Sequence, residues 1–179
     1  MISREEATLL IYEHLDKEKI KHSILVSRIM KSLAKNFCKD QNKWELVGLL
    51  HDLDYEITRT DRKQHGIVAA KMLEGKLPEE CLHAIKAHDH RTGVKPTSLI
   101  DMALIVSDII AVLVSGIASK ASYGKIGQMK IDEIRRELEK ESLFKEKLGA
   151  RLRDLCSEID LTIEDLIGIA IDSIIEDRR

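Results

Sequence analysis

The sequence predicts an all-α protein, on the strength of three observations. Its 179 residues are 44% apolar and 34% charged, which is enough apolar material for a domain with a buried core. Only 3% of the residues are aromatic and two are proline, so the residues that build strands and tight turns are scarce. Apolar residues also recur at helical spacing along most of the chain. We therefore expect a helical bundle that forms a single domain over residues 1–179.

Five helices are predicted in the first half of the chain. Ser3 and Glu6 have the spacing of a capping box, in which two side chains satisfy the free backbone donors of a helix start. Asn42 is a candidate N-cap, Gly75 suits the left-handed conformation that closes a helix, and Pro78 suits a first helical turn. Three of the predicted helices span about 3–15, 61–74 and 78–88, and apolar patterns through residues 25–37 and 44–53 mark the other two.

The sixth predicted helix, roughly Thr97–Ile117, is the most apolar segment of the chain. Its nearly uninterrupted part, residues 102–118, approaches the length of a membrane span, but Asp108 lies in the middle of it. A carboxylate is costly in hydrocarbon, and in a protein core it needs a positive partner. We therefore predict a core helix and regard Asp108 as a candidate functional residue.

The last third of the chain is predicted to be a helical extension over residues 129–178. The segment SYGKIGQ, residues 122–128, shifts the composition and predicts a flexible connection before this extension. Two amphipathic patterns follow, one over 144–159 and one over 162–175. Both patterns are typical of packing helices.

Charge and cysteine content exclude several classes of protein. The net charge of -2 leaves no cationic surplus to hold a polyanion, so no extended nucleic-acid surface is expected. Cys38, Cys81 and Cys156 are odd in number and far apart, which argues against a disulfide framework or a zinc finger. We expect them to be reduced core thiols. Because the first residues lack the pattern of a signal peptide, we predict a cytoplasmic protein without a membrane partner.

Six ionisable side chains fall on the apolar faces of the predicted helices. His22, for example, precedes Leu25 and Val26 by three and four residues and therefore shares their stripe. A single histidine in such a position is commonly a hydrogen-bonded core residue. The six residues are His22, His51, Asp52, His65, His88 and Asp108.

As a set, these residues favour a metal site. An unpaired carboxylate costs several kcal/mol to bury, and a shared cation would satisfy both carboxylates and all four imidazoles at once. Mixed nitrogen and oxygen ligands suit iron, manganese, cobalt, nickel or zinc better than calcium. Four such ligands would serve one divalent ion, and six would serve two.

The order of these residues resembles the motif of the HD-domain metal-dependent phosphohydrolases, over roughly residues 15–118. That motif is a histidine, an adjacent His-Asp pair and a distal aspartate. Here they correspond to His22, to His51 and Asp52 in GLLHDLDYE, and to Asp108 in ALIVSDII.

Members of that family with two metals add two histidines between the pair and the last aspartate. In this chain QHGIVAA supplies His65 and AIKAHDH supplies His88. The pattern is most similar to that of the bacterial diadenosine tetraphosphate hydrolases. The resemblance implies that Asp52 bridges two ions, that His22, His51 and Asp108 complete one site, and that His65 and His88 complete the other.

The chain also departs from the family pattern. Many members read HDIGK, whereas here Asp54 replaces the glycine and Tyr55 replaces the lysine that can meet a substrate phosphate. The Glu-Pro and arginine that follow the last aspartate in the diadenosine tetraphosphate hydrolases are missing after Asp108. The Gly-Tyr-Pro motif of the cyclic dinucleotide branch is missing after HDHRTG as well.

The resemblance implies a phosphohydrolase that cleaves a phosphoester of a nucleotide or another small phosphorylated metabolite. Its metal ions would lower the pKa of water from about 15.7 toward about 7, with His51 and Asp52 as the catalytic residues. Candidate substrate-binding residues are His90, Arg91 and Lys95, which follow His88. Two alternatives stay open at this point: a di-iron oxygenase of the same superfamily, and a non-catalytic metal-binding helical module.

Overall fold

The computed structural model describes residues 1–120, 129–141 and 148–176, and the described residues are helices joined by turns. This confirms the prediction of an all-α fold. The helices are α1 (Arg4–His14), α2 (Lys17–Asn36), α3 (Gln41–Leu50), α4 (Ile67–Met72), α5 (Glu79–Ala87), α6 (Leu99–Lys120), α7 (Ile131–Lys140), α8 (Gly149–Glu158) and α9 (Ile163–Glu176). Two short 3₁₀ helices, Arg62–Gln64 and His90–Thr92, lie before α4 and before α6.

The chain divides into two compact units, Met1–Ile105 and Val106–Arg179. The expectation of one domain, with a metal-binding core over 15–118 and C-terminal helices over 129–178, stays a prediction. Helix α6 begins in the first unit and continues into the second.

The core of the first unit is centred on the packing of α2 against α3. Ile29, Leu33 and Leu50 are fully buried there, and each such side chain contributes about 1.5–3 kcal/mol of hydrophobic stabilisation. The two helices approach closely at Gly48, where an added Cβ would lie 2.7 Å from the Cα of Ser27. This close approach holds the end of α3 and the residues after it against α2.

The second unit is held together by an apolar face of α9. Helix α9 packs against both α7 and α8, and it buries Leu166 and Ile167. Helix α7 contributes Ile134 and Leu138 to this packing, four residues apart on one face.

Four sequence-based expectations need correction. Helix α3 begins after Asp40, not Asn42, because the Asp40 side chain accepts a hydrogen bond from the backbone N–H of Lys43. Helix α7 was not predicted, since charged residues dominate it. Cys81 and Cys156 are buried, but Cys38 is exposed.

The largest correction concerns the predicted helix over 61–74. The structure has only the 3₁₀ helix Arg62–Gln64 and the short helix α4, because the backbone of His65 is extended and Gly66 has a φ of 83°. The predicted flexible connection at 122–128 and the start of the pattern at 144–159 lie outside the described residues.

Helix α6 confirms the predicted apolar core helix and extends it to Lys120. Its stretch Leu99–Ser119 is long and apolar enough to cross a membrane, yet 72% of its most apolar window is buried inside the protein. A core helix passes the same test of length and composition, so this stretch gives no reason to assign a membrane span. Residence in the cytoplasm stays a prediction.

Candidate metal centre

Asp52 lies at the centre of a cluster of histidine side chains. Helix α3 ends at Leu50, and the following turn places His51 and Asp52 in the interior, where Asp52 is only 3% exposed. Its Oδ1 atom lies 3.0 Å from Nε2 of His65, 3.4 Å from Nε2 of His51 and 3.8 Å from Nε2 of His88. The ligand atoms of His51, Asp52 and His88 all lie within 4.8 Å of one another.

The opposite nitrogen of each ring is held by a hydrogen-bond acceptor. Nδ1 of His51 lies 2.8 Å from the carbonyl oxygen of Gly48, and Nδ1 of His88 lies 2.6 Å from that of Ile85. Nδ1 of His65 lies 2.8 Å from Oδ1 of Asp54. Because a carbonyl oxygen can only accept, Nδ1 of His51 and of His88 carries the proton. Nε2 of each ring, the nitrogen that remains for a cation or a second proton, therefore faces the Asp52 carboxylate.

This arrangement fits a cation. Imidazole nitrogens that converge on a carboxylate oxygen in a buried site require positive charge beside them, which a bound cation or protons on the rings supply. Metal-ligating histidines characteristically donate their other ring N–H to a carbonyl or a carboxylate, as these three do. The donor set of imidazole nitrogen and carboxylate oxygen suits a divalent transition metal.

Asp54 fixes the ring of His65 at Nδ1, the nitrogen opposite the one that faces Asp52. Its carboxylate is fully buried, and its Oδ2 accepts the backbone N–H groups of Gly66 at 2.8 Å and Ala69 at 2.9 Å. One side chain thus fixes both the ring of His65 and the first turn of α4. From the sequence, Asp54 was only a departure from the family pattern, because its partners lie 11 to 15 residues further on and give no local signal.

Gly66 allows the close approach of His65 and His88. A Cβ at this position would lie 2.4 Å from the carbonyl oxygen of Ile85 and 3.2 Å from the imidazole of His88. Its positive φ also belongs to the region that favours glycine. The glycine therefore lets α5 place His88 next to the turn that carries His65.

Helix α2 contributes two side chains to the second oxygen of Asp52. Nε2 of His22 lies 3.8 Å from Oδ2, and Nζ of Lys19 lies 2.7 Å from the same atom. Lys19 was not among the site residues predicted from the sequence. Its position three residues before His22, on the same face of a helix, was the available signal.

The charges of the cluster stabilise one another. Burial alone would raise the pKa of Asp52, but His51, the hydrogen-bonding histidines and Lys19 outweigh burial and hold that pKa well below its usual range. Burial lowers the pKa of His65, but hydrogen bonds with Asp52 and Asp54 outweigh it and raise the pKa to about 9. The two carboxylates thus favour positive charge at His65, which a proton supplies when no cation is bound.

The remaining candidate residues are Asp108 on α6 and three residues that follow His88. Asp108 is on the part of α6 that belongs to the second unit, with a half-buried side chain, and its role as a ligand stays a prediction. His90, Arg91 and Lys95 are exposed, and the Arg91 guanidinium is engaged by the carboxylate of Asp89. Their role in substrate binding stays a prediction as well.

Buried histidine and aspartate side chains that cluster on a helical scaffold are typical of one protein family. A family model described as "HD domain" matches residues 20–113, which is more than half of the chain, and the chain belongs to this family. HD domains bind divalent metal ions, and the Asp52 cluster could hold one.

Among known proteins, the chain is similar to Ribonuclease Y of Lawsonia intracellularis (strain PHE/MN1-00). The two are 29% identical over 93 residues, which is 51% of this chain and 18% of that protein. The chain therefore spans less than a fifth of the relative that it matches. No solved structure matches the chain.

Proposed function

We propose that this protein is a metal-dependent phosphohydrolase. The observation that carries the proposal is the set of three imidazoles, oriented by acceptors on their far nitrogens, around the single oxygen Oδ1 of Asp52. In a member of the HD-domain family this donor set supports a divalent metal site. Such a site in a member of this family most directly supports the hydrolysis of a phosphoester.

The proposed ligands hold one or two divalent ions of iron, manganese, cobalt, nickel or zinc. When bound, such ions lower the pKa of water and offset the negative charge of a phosphoryl group. The ligands are His22, His51, Asp52, His65, His88 and Asp108. Asp108 is assigned from the order of residues in the family motif.

The protein's own residues contribute position and electrostatics. Asp52 lies between the imidazoles and supplies negative charge on both of its oxygens, while Asp54 keeps the ring of His65 in one orientation. Hydrolysis adds water to phosphorus and breaks the bond from phosphorus to the leaving oxygen, which departs with a proton. Such a reaction is accelerated mainly by orientation and charge stabilisation, which a buried preformed cluster provides.

For the substrate, we propose a small phosphorylated molecule such as a nucleotide. The name of the relative, Ribonuclease Y, describes an enzyme that acts on RNA, so a phosphodiester is a second candidate bond. The net charge of -2 does not favour a long polyanion as the substrate. Nucleoside monophosphates, dinucleotides and a short RNA, assayed side by side, separate these classes.

The test of the proposed function is phosphate release by metal-loaded protein, compared with Asp52→Asn. We expect the wild type to hydrolyse at least one of these phosphoesters in a metal-dependent way, and we expect the variant to lose that activity. If the variant keeps the full activity, Asp52 has no catalytic role and the proposal is wrong.

The same samples distinguish the two alternatives. A di-iron oxygenase would contain iron and consume oxygen with its substrate, whereas phosphoester hydrolysis consumes no oxygen. A non-catalytic module would bind metal and show neither reaction. Oxygen consumption, iron content and phosphate release, measured together, therefore decide among the three functions.

A further inference from the structure

Two cationic side chains meet at the ring of Tyr55, beside the metal centre. Nζ of Lys19 lies 3.5 Å from the centroid of this ring, and Cζ of Arg62 lies 4.1 Å from it. Tyr55 itself meets the imidazole of His65 edge to face, with ring centroids 5.6 Å apart. The Tyr55 ring thus contacts both cationic side chains and one of the proposed metal ligands.

Lys19 and Arg62 reach this place from different elements. Lys19 extends from the first turn of α2, and its side chain is 24% exposed while its Nζ contacts Oδ2 of Asp52 at 2.7 Å. Arg62 begins the 3₁₀ helix before His65 and donates a hydrogen bond to the carbonyl oxygen of Tyr55 at 3.2 Å. Cation–π contacts and this hydrogen bond hold both cations in place without neutralising Arg62.

Two neighbouring arginines differ from Arg62, because carboxylates already neutralise them. Arg59 pairs with Glu56 at 3.3 Å, and Arg91 pairs with Asp89. Arg62 forms no ion pair with a carboxylate among the residues that the structure describes. Lys19 does have an anionic partner, but that partner is Asp52, which several histidines share.

We propose that Lys19 and Arg62, supported by Tyr55, form an anion subsite that takes a phosphate group of the substrate. The assignment of the anion as substrate phosphate rests on the proposed function. Arginine and lysine both make strong charge-assisted hydrogen bonds to phosphate oxygens, lysine as a point charge and arginine as a fork of donors. Many members of the family have a lysine that can meet a substrate phosphate at the position of Tyr55, and the proposed subsite supplies positive charge in its place.

The test is calorimetric titration of inorganic phosphate into metal-loaded wild type, Lys19→Ala and Arg62→Ala. Loss of a charge-assisted hydrogen bond is expected to weaken phosphate binding by roughly tenfold to a hundredfold in Lys19→Ala. Arg62→Ala is expected to weaken it by at least about threefold. The matched control is Lys63→Ala, which removes an exposed cation next to Arg62 and is expected to leave phosphate affinity unchanged.

Metal content and thermal unfolding are measured on each variant, so that altered metal loading or folding is not mistaken for loss of the subsite. Lys19→Ala is expected to retain metal at least as well as the wild type, because it removes a cation that competes for Asp52. If folded, metal-loaded Lys19→Ala and Arg62→Ala bind phosphate as tightly as the wild type, the subsite does not exist.

Phosphoester hydrolysis on the same samples separates this inference from the proposed function. If wild type binds phosphate, the two variants bind it more weakly, and no phosphoester is hydrolysed, then the subsite stands and the proposed function fails. If wild type hydrolyses a phosphoester and phosphate affinity is the same in all three proteins, then the function stands and the subsite is wrong.

Discussion

Asp54 and His65 are joined by a hydrogen bond of 2.8 Å between the carboxylate and Nδ1 of the imidazole. The same carboxylate accepts the backbone N–H groups of Gly66 and Ala69. The orientation of a proposed metal ligand is therefore coupled to the turn that begins α4. Asp54 acts through His65, which makes it a positioning residue.

Asp54→Asn is expected to weaken metal binding. An amide has one acceptor oxygen, so it cannot serve both the His65 ring and the two backbone donors, and loss of such a supporting partner typically costs about 10- to 100-fold in metal affinity. Calorimetric titration with manganese or zinc measures the effect. Glu56→Gln is the matched control, because Glu56 pairs with Arg59 and not with a histidine. Equal affinities in Asp54→Asn and wild type would contradict the positioning role.

Gly66→Ala is expected to destabilise the fold. The new Cβ would lie 2.4 Å from the carbonyl oxygen of Ile85, and the φ of 83° is strained for any residue with a Cβ. We expect a loss of at least about 2 kcal/mol in the free energy of unfolding, measured by urea denaturation. Gly75→Ala is the control: its φ is 73° but nothing lies within 4 Å, so only the backbone penalty of about 1 kcal/mol applies. Similar losses in both variants would exclude the steric argument.

Much of this site follows from the sequence, and the remainder depends on tertiary contacts. The burial of His51, His65 and His88 could be predicted from helical periodicity, although His65 lies in an extended turn before α4. The partners of Asp54 could not, since they lie across a turn whose conformation only the folded chain defines.

The misplaced helix over 61–74 has a similar cause. Local periodicity favours one helix there, but Gly66 takes a positive φ because Asp54 binds its N–H and because Ile85 and His88 pack against it. The short helix α7 was missed for a different reason. Its two buried residues, Ile134 and Leu138, are too few to stand out among charged neighbours.

Glu45 is expected to make the stability of the protein depend on pH. Its buried carboxylate accepts hydrogen bonds from Arg4 at 2.7 Å and from Lys31 at 2.8 Å. Burial raises the pKa of Glu45, but these two cations outweigh burial and lower the pKa below its ordinary value of 4.5. A lowered folded-state pKa contributes stability that is present above about pH 4.5 and is lost as pH falls through the folded value.

Glu45→Gln tests this contribution. At pH 7 we expect the variant to be less stable by about 1–2 kcal/mol in urea denaturation, because both cations lose their charged acceptor. The difference should shrink below the folded-state pKa, where Glu45 is protonated in the wild type too. A stability difference that is the same at pH 7 and at low pH would mean that the carboxylate charge is not responsible.

Removal of metal is expected to lower the melting temperature. A cation that binds only the folded protein adds stability, about 2.7 kcal/mol when its concentration is 100 times its dissociation constant. Calorimetric melting before and after chelation, and again after metal is restored, measures this effect. A melting temperature that neither falls on chelation nor rises on reloading would show that no ion stabilises the cluster.

The central claim, that the cluster around Asp52 is a divalent metal centre, is tested most directly by elemental analysis. Wild type and Asp108→Ala, both purified without a metal-affinity tag, are compared with Asp52→Asn. We predict about one to two equivalents of a transition metal in the wild type, with clear loss in both variants. Negligible metal in the wild type, even after anaerobic reconstitution, would mean that the histidines and aspartates satisfy one another, and it would contradict the account.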